Sequence, residues 1–236
     1  MIAGLSKAVT LYLAPVLMLT SLLLTLFAYI SPVLMLQTRV ALMSVTPSTA
    51  LTGGDGARVD GPSVFMGALG SCARASRDAG VNCTLASLEP VYDTSALPTA
   101  APTVLLSAPA ALTPVFIGLS LLLSLVFLLS STLASFRHKL GAAGGVFERP
   151  AVQRVSAWIG VFGFMIGITA FLVVRMWFGK AISDFNTIIS TMDDGDAPQL
   201  KAAEGNGFTM IWAAYAFYAV PLILALSKLH VASSKA

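Results

Sequence analysis

Val64-Phe65-Met66-Gly67-Ala68-Leu69-Gly70-Ser71-Cys72, followed by Val81-Asn82-Cys83-Thr84, holds both cysteines of the chain with ten residues between them. The stretch mixes β-prone residues with glycines and lies between long apolar runs. What those runs are decides what the stretch is attached to.

Of 236 residues, 56% are hydrophobic and 11% are charged, whereas soluble domains carry roughly 25% charged residues. The apolar residues cluster in four runs, at residues 8–30, 112–134, 155–174 and 208–227. A helix needs about 20 residues to cross about 30 Å of hydrocarbon, and barrel strands are about half as long, so each run is expected to be a membrane-spanning helix. The first exceeds the apolar core of a cleaved signal peptide, about 7–15 residues, and is read as a retained signal anchor. Pro114 suits a first helical turn, whereas Pro221 inside the fourth run is expected to kink it or to be satisfied by neighbours. The expected fold class is an all-α transmembrane four-helix bundle with a small disulfide-pinned extracellular β-rich loop. It forms a single membrane domain over residues 1–236.

Short loops with Lys and Arg stay on the cytoplasmic side. The segment 135–154 carries Arg137, Lys139, Arg149 and Arg154 against Glu148; Lys7 precedes the first run, and Lys228 and Lys235 follow the last. The segment 175–207 is acidic, with Asp184, Asp193, Asp194, Asp196 and Glu204 against Lys180 and Lys201. Both termini are therefore expected in the cytoplasm, with loops 37–111 and 175–207 outside. The net charge of +3 is scattered and forms no basic stripe interleaved with aromatics, so no nucleic-acid partner is expected. Phe136-Arg137-His138-Lys139 and Arg149 make a small basic patch that would favour anionic lipids.

This orientation puts Cys72 and Cys83 in an oxidising compartment, where disulfides persist, and a bridge between them is expected. Closing so short a loop is worth about 2–3 kcal/mol in the chain-entropy model. Zinc needs four ligands, and His138 and His230 fall on the other side, so no metal or other cofactor is expected. Residues 39–46, 63–66 and 81–88 are candidate strands, with a turn-rich break at 52–56. Asn82-Cys83-Thr84 matches the N-glycosylation acceptor pattern, although a bridged cysteine in its middle would hinder modification.

Gly160, Gly163 and Gly167 place small residues on one side of the third span, where they permit close helix approach in lipid. The face serves either the bundle itself or a partner, and Ala213, Ala216 and Ala219 offer a similar surface in the fourth span. Arg175 and Trp177 end the third span as an outer-interface anchor. Ile182, Phe185, Ile188, Ile189 and Met192 follow at near-helical spacing and are expected to extend that helix towards the cysteine-bearing loop. Asp193-Asp194-Gly195-Asp196 lacks the spacing of a calcium loop and reads as a solvated turn. No Asp, Glu, Lys, Arg or His lies centrally in any span, where ion and proton paths usually mark themselves. No nucleophile-and-base set stands out either, so an enzyme is not expected.

Four spans with both ends inside, a long first outer loop, and Gly67, Gly70, Cys72 and Cys83 within it resemble the claudin plan. The chain is more similar to fungal four-span plasma-membrane proteins, the cortical-patch (eisosome) family that includes the PalI pH-response regulators. Their Gly-x-x-Gly-x-Cys element and second cysteine match these four positions. Animal claudins carry a tryptophan before the first cysteine; here Leu69 stands there and the loop has no tryptophan, which departs from a tight-junction protein. The resemblance implies a claudin-like fold and a role in organisation rather than chemistry. The expected protein is a non-enzymatic plasma-membrane tetraspan that organises a microdomain or serves as accessory subunit of a larger integral membrane protein. Alternatives are a self-assembling junction-like scaffold of copies of itself, or a small transporter or channel.

Overall fold

The computed structural model describes residues 12–51, 59–103, 112–136, 145, 149–192 and 197–233, with side chains as far as Ser227. Lys7, the 52–56 break, Arg137, His138, Lys139, Glu148, the 193–196 run and Lys235 lie outside the described residues, as do the side chains of Lys228 and His230. The chain divides into two compact units: Met1–Leu26, Phe116–Thr169 and Ile211–Ala236 form the first, and Phe27–Val115 with Ala170–Met210 form the second.

The first unit is helical. It takes in parts of α1 (Ala14–Ile30), α2 (Leu112–Ser135), α3 (Pro150–Thr191) and α4 (Gly207–Ser233). Unbroken Leu, Phe, Val and Ala runs favour helix because every backbone group must be satisfied within the segment once water is excluded. Three of the four, α2, α3 and α4, are long and apolar enough to cross a membrane; α1 is a shorter apolar helix over its described residues. α4 continues past Pro221. The unit's exterior is apolar: Leu19, Leu122, Leu129, Phe162, Met165 and Ile223 are all exposed.

The second unit is built on a five-stranded antiparallel sheet in the order β4-β3-β2-β1-β5. The strands are β1 (Met43–Pro47), β2 (Ser63–Met66), β3 (Ser71–Arg74), β4 (Asn82–Cys83) and β5 (Leu200–Glu204). The fold is therefore mostly helical with a small sheet, rather than all-α with a three-stranded loop. Three strand expectations need correction. The first strand begins at Met43, because the chain at Arg39 and Val40 turns back on Leu36, whose φ is +57°. The third, expected over 81–88, is a strand only at Asn82–Cys83, and the residues around Cys72 form a strand of their own. β5 comes from the second loop and pairs with all five residues of β1.

Burial alternates along β1 and β5. Met43 and Val45 are buried with Leu200 and Ala202, while Ser44, Thr46, Lys201 and Ala203 between them are more open. The register puts Val64 and Met66 of β2 opposite Val45 and Met43, on the same face. α3 supplies the complement. Phe171, Val174, Phe178, Ala181, Phe185 and Ile189 are buried at intervals of three or four residues, the repeat of one helix face. The expected stripe through Ile182, Phe185, Ile188, Ile189 and Met192 is thus rotated: Phe185 and Ile189 are buried, and the other three are half-buried. At 42 residues, α3 is about 60 Å long at the helical rise, roughly twice the hydrocarbon thickness.

Candidate functional site: a disulfide-closed sheet edge and a glycine seam

β4 has only two residues and two pairings, Cys72↔Cys83 and Ala73↔Asn82. Two rungs hold a strand poorly, since isolated short strand pairs are marginal in water. The Cys72–Cys83 disulfide joins one of those pairs directly, with the Cα atoms 4.0 Å apart. Cys72 is buried. Around it the backbone is tied by Thr84, whose N–H donates to the Ser71 carbonyl (2.9 Å) and whose hydroxyl accepts from the Ser71 N–H (3.0 Å). The Ser71 hydroxyl in turn accepts the Asp93 N–H at 2.8 Å.

The two glycines before Cys72 have separate physical reasons. Gly67 donates its N–H to the Gly70 carbonyl (2.9 Å), closing a tight turn. A Cβ on Gly67 would meet the Ser31 carbonyl oxygen and lie 2.6 Å from Pro32 Cδ, so the turn rests directly on backbone just past α1. Gly70 has φ +151°, which side chains rarely adopt, and a Cβ there would meet the Thr84 hydroxyl. Gly-x-x-Gly-x-Cys is thus a packing device that sets β3 against β4 and against Ser31–Pro32.

Tyr92 locks the same turn from the other side. Its hydroxyl donates to the Gly67 carbonyl at 3.0 Å, and its ring lies 6.2 Å from Phe178 and 6.3 Å from Trp177. Burial pushes the Tyr92 phenol above its ordinary pKa, so it stays a neutral donor. Next to it, hydrogen bonds from the Ser95 side chain and N–H hold the Asp93 carboxyl below its usual range.

Asn82 is exposed on the edge strand. The other two residues of its acceptor triplet are committed, Cys83 to the bridge and the Thr84 hydroxyl to Ser71. Arg175 lies 3.5 Å from Glu204 on β5, both side chains about half exposed, so an ion pair joins α3 to the sheet at the expected anchor. Trp177 is half-buried and packs edge-on against Phe178 at 5.0 Å. Asn186 was not singled out by sequence. Its side-chain amide both accepts the Ala202 N–H and donates to the Ala202 carbonyl, each at 2.9 Å. It fills a rung along the outer edge of β5.

In the helical unit the glycine face of α3 packs inward. Gly160 lies beneath the Phe127 ring of α2, which a Cβ would approach to 2.9 Å, and its carbonyl accepts the Tyr218 hydroxyl of α4 at 3.0 Å. A Cβ on Gly163 would come within 2.9 Å of that hydroxyl and 3.2 Å of Leu123, and the Gly163 carbonyl accepts the Ser120 hydroxyl at 2.7 Å. At Gly167 a Cβ would run into the hydroxyls of Tyr215 and Ser120. Farther along, Ser130 and Ser156 share a 2.6 Å bond. Stacked Phe127 and Tyr218, with Phe164 edge-on to Tyr215 and Tyr218, fill the remaining space. The sequence pointed to the glycines but not to their partners. Ser120 with Ser124, and Tyr215 with Tyr218, stand one helical turn apart in runs without Asp, Glu, Lys, Arg or His, and that spacing is the signal that marks them.

Among the described residues no group of three or more His, Cys, Asp or Glu is placed to hold a metal ion. Compared with known proteins, the chain matches no family model and no curated sequence.

Proposed function

We propose that the chain is a non-enzymatic plasma-membrane protein of four spans with both termini cytoplasmic. It would act by contact, as accessory subunit to a larger integral membrane protein or as organiser of a membrane microdomain. The resemblance of Gly67, Gly70, Cys72 and Cys83 to the cortical-patch family motif supports the setting. The observation that carries the reading is where the polar groups of the helices go. Ser120 and Tyr218 donate to the glycine carbonyls of α3, and Ser130 bonds Ser156. These hydroxyls hold helices together, while the aliphatic exterior is left for lipid and partners. The second unit supports the same reading: its motif residues brace a small sheet, and that sheet is a rigid surface to present.

The test is mass spectrometry of the protein extracted gently from its native membrane, beside the Cys72→Ser variant. A larger integral membrane protein recovered in fixed stoichiometry with the wild type, and depleted with the variant, is the expected outcome. Recovery only as multiples of the chain itself would replace the accessory role with a self-assembling scaffold. Solute or ion movement by the reconstituted chain alone would overturn both.

A further inference from the structure

The second unit carries apolar side chains that its own core does not use. Leu85 is 91% exposed, Val91 70% and Leu34 60%, and Met35, Leu36 and Leu88 are also open. The chain from 84 to 92 holds one charge among them, Glu89. A leucine exposed to that degree gains nothing from the fold, and soluble surfaces rarely gather several.

Their position is set by contacts within this unit. The Tyr29 hydroxyl, in the last turn of α1, donates to the Pro114 carbonyl at the start of α2 at 3.0 Å. The end of one apolar helix and the beginning of the next are therefore level. Leu34 follows four residues after Ile30 and still bonds back to it, Leu34 N–H to the Ile30 carbonyl at 3.1 Å. Gly70 joins the two exposed segments: a Cβ there would lie 3.1 Å from Val33 and 3.6 Å from the Leu85 carbonyl oxygen. Leu85 therefore stands beside the apolar residues that continue directly from α1. Val91 precedes Tyr92, whose ring packs with Trp177 on α3, and on that part of α3 Leu172, Val173 and Met176 are exposed. Aromatic residues of this kind collect where hydrocarbon meets headgroups.

We propose that the segment 84–91, with Leu34–Leu36 beside it, rests on the outer leaflet and inserts Leu85 and Val91 among the lipid chains. The occupant is lipid because the patch follows directly on the last turn of α1 and adjoins the exposed Leu172, Val173 and Met176 of α3, with Glu89 and Arg175 as the charged residues along it. It rests on the membrane-spanning reading above. Its consequence is mechanical. Lipid would hold the segment that follows β4, so the disulfide-closed edge of the sheet would keep a fixed height over the bilayer.

The test uses the full chain, one copy per phosphatidylcholine nanodisc so that no second copy covers the patch, with Leu85→Trp and Val91→Trp compared with wild type. Lipids brominated near the headgroup end of their acyl chains, or near the tail end, supply the quencher. The emission added by each new tryptophan is expected to be blue-shifted and to be lost with the headgroup-end bromines. Water-like emission insensitive to either lipid would overturn the proposal, as would blue-shifted emission that no bromine quenches, which would mark burial against protein. The native Trp158 and Trp212 separate the two readings. Native emission quenched by tail-end bromines while the added emission is untouched would reject lipid docking alone. Native emission quenched by neither lipid would reject the spanning reading with it.

Discussion

Gly67 shows how much one missing side chain can decide. Its α-carbon lies so close to the Ser31 carbonyl and Pro32 that a methyl group has no space, and a backbone atom cannot rotate away as a flexible side chain can. Gly67→Ala is expected to destabilise the second unit by about 1–3 kcal/mol, the usual range for overpacking. Gly80 has nothing near its would-be Cβ, and Gly80→Ala is expected to leave the melting temperature unchanged. Thermal unfolding of both variants in detergent, followed by Trp177 emission, reads the contrast; equal melting temperatures would remove the close-approach explanation. The two cysteines and the two glycines were legible as a motif in the sequence. Tyr92, which bonds the Gly67 carbonyl from 25 positions away, was not, because nothing local marks a tyrosine as the partner of a distant carbonyl.

At the scale of elements, α3 and β5 depend on each other. β5 reads Leu-Lys-Ala-Ala-Glu and lacks the β-branched and aromatic residues that favour strands. It is a strand because β1 pairs with it on one side and Asn186 satisfies Ala202 on the other. Asn186→Ala would remove both bonds at Ala202 and cost about 1–3 kcal/mol through the unsatisfied backbone groups. Hydrogen exchange at the Ala202 amide should rise. Asn186→Asp keeps an acceptor for that amide but no donor for the carbonyl, and should protect it better than alanine does. Unchanged exchange in Asn186→Ala would mean that β1 alone holds the strand. The long apolar helices were legible because an uninterrupted apolar run has few alternatives to helix; α2 at Leu112–Ser135 lies close to the expected 112–134. The sheet was not, since its short strands alternate poorly and its fifth member lies more than a hundred residues downstream of the other four.

At the scale of the whole molecule, the bridge belongs to the second unit and the glycine seam to the first, so the two depend on different chemistry. Reducing the Cys72–Cys83 disulfide should cost the second unit about 2–3 kcal/mol in the chain-entropy model. It should shift the unfolding of Trp177 while helix content by circular dichroism and the emission of Trp158 and Trp212 hold. Loss of helix content on reduction would show that the bridge carries the apolar helices as well. Residue type and run length alone determined that this chain has long apolar helices, a bridge between its two cysteines, and glycines suited to close packing. Those follow from local physics: hydrocarbon-length runs, paired thiols and absent side chains. Only the tertiary structure decided that the glycine face turns inward to Phe127, Ser120 and Tyr218, that Arg175 pairs with Glu204, and that two separate loops share one sheet. Each of those joins residues far apart in sequence, where the deciding quantity is the space between two surfaces rather than the preference of either.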